Sequence, residues 1–427
     1  MFFLLTKLYP YFWAVLPYKI RLRLTVLIQR VQEIARTEVP ESEVKVFSTD
    51  SIATETIRAK NPNLGAIHFI DSNIVEELKP EVSIVTTCLN EADNVESWLN
   101  SLCSQSYSPT EVVIVDGGST DQTIDKIKNW YQEQTAKNRS LFKLKLIVEP
   151  GVNIAKGRNL AVSKSKYQLI AFSDFGSVLD SDWLINLLAP ICKNSLSGEK
   201  PFDVVMGWYL VEIPKIEFTP AVQILVPKLS SIFPDRFLPS GRSLLMTKHA
   251  FELAGGYPEY LTLAGEDTLF DFYLKSQPLR FAFVPTAISK WPFPDSLRKL
   301  WRMTYNYSRG DGEAAKLFWQ HYLNTIGNLF RVCIDLLFLL VFCLLSLSFS
   351  QISLILLLQF GFFLMSLINL LKPYRFAWKD KSLIKNFQNQ IVVIFTLLAQ
   401  TSGFIHGVFS RRAVKERINV SDSSNKV

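Results

Sequence analysis

The sequence has few of the residues that staple or metallate a small protein. Cysteine occurs five times in 427 residues, at 88, 103, 192, 333 and 343, with no CxxC pair. An odd, scattered set excludes a disulfide framework and fits free thiols in a reducing compartment. Histidine occurs only at 68, 249, 321 and 406, in no spacing that matches a zinc site. Charged residues are sparse at 20%, and the 48% hydrophobic content excludes a disordered chain. The apolar N-terminus is interrupted by Lys7, Pro10 and Pro17 and shows no small-residue cleavage site, so a cleaved signal peptide is not expected. No nucleic-acid-binding motif is present. The net charge of +7, from 46 Lys+Arg against 39 Asp+Glu, therefore points to an anionic membrane surface or an anionic substrate.

What the chain does have is length and long apolar runs. Its length suits two to four structural units and a large core. Its mean hydropathy of +0.16 is high for a purely soluble protein. From Val332 to Leu371 the only charged residue is Asp335, between Arg331 and Lys372. Roughly 40 residues at about 1.5 Å rise make two crossings of a ~30 Å hydrocarbon core. The most polar part, Ser346 to Gln351, is where a helical hairpin over 332–371 would turn. The alternative, a helix pair in a soluble core, needs two helices without a polar face.

A second uncharged stretch runs from Asn386 to Ser410, with a polar centre at Gln400-Thr-Ser-Gly403. Lys372, Arg375, Lys379, Lys381 and Lys385 precede it, and Arg411, Arg412, Lys415 and Arg417 follow. The positive-inside rule wants both flanks in the cytoplasm. That favours a re-entrant or interfacial segment over 386–410; a third span is the rival. Ile20, Leu24, Leu27, Ile28, Val31 and Ile34 recur at helical spacing with Arg21, Arg23 and Arg30 between them. Two readings stand: a basic amphipathic helix on the membrane, or a helix packed on the main domain.

The region between, from Glu81 to about Ile288, alternates strand and helix patterns. Val82–Thr87, Glu111–Val115, Phe142–Val148 and Gln168–Phe172 are predicted strands; Ala92–Leu102, Thr120–Tyr131 and Ile154–Lys164 are predicted helices. This predicts an α/β fold with a mostly parallel sheet, whose ligands bind beyond the carboxyl ends of the strands. Polar residues cluster there: Asn90-Glu91, Asp116 and Ser173-Asp174. Ser119-x-x-Gln122 has the form of a capping box, and Gly117-Gly118 permits a tight turn before it.

The motifs come in a telling order: VSIVTTCLNEADNVESWLNSL, EVVIVDGGSTDQT, NIAKGRNLAV, LIAFSDFGSVLDSDWL and SGRSLLMTKHAFELAGGYPEYLTLAGEDTLF. This series, from Val82 through Phe270, resembles glycosyltransferase family 2, inverting nucleotide-sugar transferases with the GT-A fold. WPFPDSLRKLWRMTYNYSRGDG continues a pattern seen in membrane-attached members. The resemblance implies that Thr86 and Glu91 line the nucleotide pocket, that Asp116 accepts from the base, and that Arg158 of GRN lies near the nucleotide. It makes Asp174 the first aspartate of a DxD motif, which holds Mg²⁺ or Mn²⁺ against the donor diphosphate. The second carboxylate is missing, because position 176 is glycine. Asp174 alone then holds the cation, with a basic residue in its place or lost catalysis as the other outcomes.

The resemblance further implies that Asp267 of Glu266-Asp267 is the general base, with Glu266 positioning it or the acceptor. Arg242, Arg302 and Arg309 are candidates for diphosphate or acceptor contacts. Trp301, Tyr305 and Tyr307 are either sugar-stacking platforms or an interfacial aromatic belt. The QxxRW signature of processive members is absent, since the chain reads Leu300-Trp301-Arg302-Met303.

The expected organisation is a membrane-associated extension (1–80), a GT-A domain (81–290), an interfacial acceptor-side segment (291–330), membrane helices (331–410) and a basic tail (411–427). The expected function is transfer of a sugar from a nucleoside-diphosphate donor to a lipid-linked or membrane-proximal glycan. The expected partners are that donor, that acceptor and a membrane, with the catalytic domain on the cytoplasmic face of a multi-pass protein. The rivals are a non-catalytic sugar-nucleotide-binding relative and a membrane scaffold.

Overall fold

The computed structural model describes residues 42–50, 66–137, 142–213, 226–261, 264–314, 319–346, 353–371 and 383–410, with scattered positions between 51 and 65. The predicted amphipathic helix near residues 20–34 and the basic tail lie outside these. The chain divides into two compact units, Pro40–Glu313 with Leu371–Val427, and Ala314–Leu370 with Met1–Val39.

The first unit is built on a ten-stranded sheet. In chain order its elements are β1 (Val44–Ser48), β2 (Ile67–Phe69), α1 (Asn73–Leu78), β3 (Val82–Cys88), α2 (Val95–Cys103), β4 (Glu111–Asp116), α3 (Thr123–Ala136), β5 (Lys143–Val148) and α4 (Ile154–Lys164). There follow β6 (Leu169–Phe172), β7 (Val178–Leu179), α5 (Trp183–Ser197), β8 (Val204–Glu212), β9 (Leu244–Thr247), α6 (Lys248–Leu253), α7 (Glu266–Lys275), β10 (Phe281–Pro292) and α8 (Leu297–Ala314). The sheet order is β2-β1-β10-β8-β9-β6-β3-β4-β5, with β7 paired to β10. Every pairing is parallel except those of β9 with β6 and β8, and of β7 with β10. The expected mixed α/β, mostly parallel sheet is what the chain forms.

The central strands are β-branched and buried on both faces, as a sheet covered by helices requires. Side chains alternate between faces. Ile84, Val112 and Ile114 join one core cluster, with Val95, Trp98 and Leu99 of α2. Val85, Val113 and Val115 join the other, with Ala155, Ala161 and Val162 of α4. A Cβ on Gly157 would lie 2.6 Å from Thr87 Cγ2. That glycine lets α4 ride directly on β3 and brings Arg158 to the strand ends.

Residues 35–80 carry no sequence motif, and where they are described they extend the sheet. β1 pairs in parallel with β10, and β2 with β1. These strands are short, and their order places them beside a segment more than 200 residues later, so local pattern does not reveal them. The predicted capping box is also corrected. Helix α3 starts at Thr123, and Ser119 instead donates to Asp116 Oδ2 and accepts from Asn90 N.

The same unit holds α11 (Leu383–Phe409), one unbroken helix that runs through the polar centre at 400–403. Within it, Gln388–Phe409 is the one helix among the described residues long and apolar enough to cross a membrane. The second unit contains α9 (Trp319–Ser346) and α10 (Ser353–Leu371). Asp335, the lone charge in this region, accepts from Ser366 Oγ of α10, and its carbonyl accepts from Gln359. The two helices cover most of the range expected for a hairpin; α9 begins well before residue 332, and the place of the expected turn lies outside the described residues.

Candidate active site

A cavity of about 630 Å³ opens at the carboxyl ends of β3, β4 and β6. That volume suits a ligand of nucleotide size. Thr87, Cys88, Gly117 and Asn153 line one side; Asp174, Arg242, Glu266, Trp291 and Tyr307 line the other.

Arg158 sits at the centre. Its Nη2 is 2.7 Å from Asp174 Oδ1 and its Nη1 is 2.8 Å from Glu266 Oε1. Its guanidinium also lies over the Tyr257 ring, 5.1 Å from the centroid. One planar fork thus joins two acidic motifs. Burial opposes the Arg158 charge, but Asp174, Tyr257 and Glu266 outweigh it and hold its pKa above the ordinary arginine range. Burial alone would raise the Asp174 carboxyl; Arg158 and Arg242 overcome that and hold it below the usual range.

Arg242 lies 3.5 Å from Asp174 Oδ2 through Nε, with its Nη2 donating to Tyr307 OH. Trp291 and Tyr209 face the guanidinium at 4.4 and 5.0 Å from their ring centroids. Glu266 is buried at the first turn of α7, and its carboxyl is pushed up to about 7 by burial and by the neighbouring Asp267 charge. Asp267 is half-buried and accepts from the Thr268 backbone N–H at 2.8 Å. Between these two residues, Glu266 forms the cavity wall.

The structure places several of the expected residues away from the cavity wall. Thr86 does not line the cavity; it is buried with an unpartnered hydroxyl, and Thr87 lines the wall instead. The cause is the two-residue period of β3, which puts Thr87 on the face carrying α4. Asp116 is fully buried and held by its own turn: Oδ1 accepts from Gly118 and Ser119 N–H, and Oδ2 from the Ser119 hydroxyl. Arg309 pairs with Glu313 one helical turn away, and neither Arg302 nor Trp301 lines the cavity. Trp301 packs on Phe395 and Tyr305 contacts His406, both on α11, so only Tyr307 of that aromatic set reaches the wall. Glu91 does line the cavity, with burial raising its carboxyl. Trp291, at the end of β10, carries no local sequence signal and was missed.

Gly176 explains the absent second carboxylate. Its φ is +89°, and a Cβ there would press on Asn94 Nδ2 at 3.1 Å and Glu91 Oε2 at 3.4 Å. Among the described residues no group of three or more His, Cys, Asp or Glu could hold a metal. The donor set still suits one shared cation. Asp174 Oδ2 has only a long contact to Arg242, and the cavity's two arginines already face Asp174 and Glu266. A diphosphate would add charge that these arginines do not offset.

A mostly parallel α/β sheet with a charged, nucleotide-sized cavity at its carboxyl edge defines a ligand-binding domain. Residues 83–222 match the family model described as glycosyl transferase family 2. The family 2 glycosyltransferase match is thus confined to this stretch, about a third of the chain. The chain is 23% identical over 253 residues to the poly-beta-1,6-N-acetyl-D-glucosamine synthase of Staphylococcus epidermidis, covering 56% of each chain. It thus spans only about half the length of that relative. It is 32% identical over 108 residues to glycosyltransferase AglE of Haloferax volcanii, covering 25% of this chain and 33% of that one. Among solved structures, the mannosyltransferase PcManGT from Pyrobaculum calidifontis, in complex with GDP-Man and Mn²⁺, aligns over 79% of this chain and 87% of its own. Its TM-score is 0.44 and its identity 14%.

Proposed function

We propose that this protein is a membrane-attached inverting glycosyltransferase that moves a sugar from a nucleoside diphosphate to a lipid-linked or membrane-proximal glycan. The observation that carries this reading is Arg158, which ties Asp174 and Glu266 together inside one cavity. Asp174 and Arg242 hold the diphosphate side. Glu266 and Asp267 face the acceptor, and Asp267 takes the hydroxyl proton as that oxygen attacks the anomeric carbon. Asp174 would hold Mg²⁺ or Mn²⁺, which would supply charge neutralisation for the diphosphate. Trp291 and Tyr307 supply flat apolar faces for a sugar ring.

Membrane attachment is supported by α11 and by the hairpin. Leu336, Leu337, Phe338, Leu340 and Leu344 of α9 and Met365 and Ile368 of α10 are all exposed. A continuous apolar surface of this kind suits lipid. The basic flanks at 372–385 and 411–417 support a cytoplasmic catalytic domain.

The test is a panel of UDP-, GDP- and dTDP-sugars given to membranes containing the protein, with and without Mn²⁺. Donor turnover that Asp267→Asn removes supports the reading. Inertness toward every donor overturns it. Resistance to EDTA overturns only the cation at Asp174.

A further inference from the structure

Helix α8 touches two other elements backbone to backbone. On one side a Cβ on Gly310 would lie 1.9 Å from the Ala264 carbonyl oxygen. Gly265, with φ +86°, closes the same contact: its Cβ would be 2.8 Å from the Gly310 carbonyl carbon. Ala264 and Gly265 form the turn that immediately precedes Glu266 and Asp267. On the other side α8 meets α11. A Cβ on Gly403 would be 2.3 Å from Tyr305 O, one on Gly407 2.0 Å from Arg309 O, and one on Gly312 2.2 Å from Phe404 O.

Glycine inside a helix costs about 1 kcal/mol against alanine. Four helix-interior glycines are therefore spent on close approach. With no side chain between the backbones, no rotamer change can absorb a displacement. A shift of α11 is carried through α8 to the turn that aims both carboxylates.

The opposite face of α11 is apolar and uncovered. Ile391, Leu398, Ile405 and Phe409 recur at spacings of seven, seven and four, and are each 43–52% exposed. Gln388–Phe409 contains no Asp, Glu, Lys or Arg over its 22 residues. Its length, about 33 Å at ~1.5 Å per residue, matches a hydrocarbon core. Lipid acyl chains are the occupant that fits a stripe of this length and composition.

We propose that α11 is a positioning element for the acidic pair: seated in the bilayer, it braces α8 against the Ala264–Gly265 turn and thereby sets Glu266 and Asp267 for transfer. This rests on the transferase reading above. The wall built from β3, β4 and α4 stands apart from the brace, whereas Arg242 reaches α8 through Tyr307, so the brace bears on the chemical step more than on nucleotide binding. A misplacement of about 1 Å at a reacting group costs on the order of 100-fold in rate.

The experiment compares full-length wild type, Gly407→Leu, Gly403→Ala and the control Gly361→Leu in nanodiscs. Gly361 has nothing within 4 Å of its Cβ position. Turnover is read with the nucleotide sugar that wild type accepts, and binding with UDP and GDP alone. Gly407→Leu is expected to lower kcat at least tenfold and to displace its pH limb, with a smaller factor lost in nucleotide Kd. Gly403→Ala should fall between, and Gly361→Leu should match wild type. Wild type in nanodiscs should exceed wild type in detergent in kcat but not in nucleotide affinity. An unchanged kcat in Gly407→Leu and Gly403→Ala, a loss of nucleotide affinity as large as the loss of kcat in both, or equal kcat in detergent and bilayer overturns the proposal. A wild type inert toward every donor instead sinks the transferase reading, and this one with it.

Discussion

Arg158 and Glu266 lie 108 residues apart in sequence and 2.8 Å apart in the fold. The other arm of the same guanidinium holds Asp174, so one side chain fixes the spacing between the two acidic motifs. Lysine carries the charge without the fork. Arg158→Lys is therefore expected to lower kcat/KM at least tenfold and to reduce the melting temperature. Arg158→Met strands two carboxylates. Breaking a fully buried pair costs about 3–5 kcal/mol; Asp174 is 28% exposed, so the loss here is smaller. Thermal unfolding beside steady-state kinetics checks both variants, and a wild-type profile for Arg158→Lys would refute the bridging role.

The acidic pair predicts a pH dependence. Glu266 is raised to about 7, first by burial and then by the Asp267 charge. Its folded form therefore binds a proton more tightly than its unfolded form. Its contribution to stability is present below the ordinary glutamate range and is lost as pH rises toward about 7. Activity is expected to run the other way: kcat/KM should rise as Glu266 loses its proton near 7, because the ionised carboxylate completes the ion pair with Arg158. Glu266→Gln should remove that limb and weaken donor binding through Arg158. Asp267→Asn should leave donor binding intact while lowering kcat by roughly 10²–10⁴-fold. A flat profile from pH 5 to 9 in wild type would contradict the pair's role.

Much of this was legible because it is local. The β-branched runs at 82–87 and 111–115, and the helix at 154–164, fall within a residue of their structural limits. Asp174, Glu91, Arg158, Arg242 and Glu266 all reach the cavity wall, and each lies within four residues of the end of a strand or helix. What was not legible is non-local or depends on parity. Thr86 and Thr87 are chemically alike, and only the register of β3 decides which faces α4. Trp291 joins the wall through strand pairing of β10 with β8. The roles of Trp301 and Tyr305 depend on α11, which no short-range pattern connects to α8.

Position 176 offers a test by restoration. Gly176→Asp would recreate the missing carboxylate in sequence. In the fold, φ is +89° and the Cβ would crowd Asn94 and Glu91. A positive φ is strained for a residue with a Cβ. The variant is expected to melt at lower temperature and to gain neither activity nor Mn²⁺ affinity. Titration of Mn²⁺ by electron paramagnetic resonance, with and without UDP, checks this; a tighter Mn²⁺ site with unchanged melting temperature would show that the cradle has room.

Asp116 separates two roles that one residue could play. The resemblance makes it a reader of the nucleotide base, which predicts that Asp116→Asn weakens nucleotide binding while the fold is untouched. The geometry predicts a different balance. All three of its strong contacts are donors from the turn that leads into α3: the Gly118 and Ser119 amides and the Ser119 hydroxyl. An asparagine amide nitrogen cannot accept, so at least one of these donors loses its partner inside a fully buried site. A buried donor left unsatisfied costs about 1–3 kcal/mol. Gly117 lines the cavity on the same turn, so nucleotide affinity should fall as a consequence of loosening. Asp116→Asn is thus expected to lower the melting temperature, and to weaken UDP and GDP by similar factors. Calorimetric unfolding and parallel titrations with the two nucleotides decide it. A stable protein whose UDP and GDP affinities move apart would return Asp116 to the base, and the turn would then be its support rather than its task.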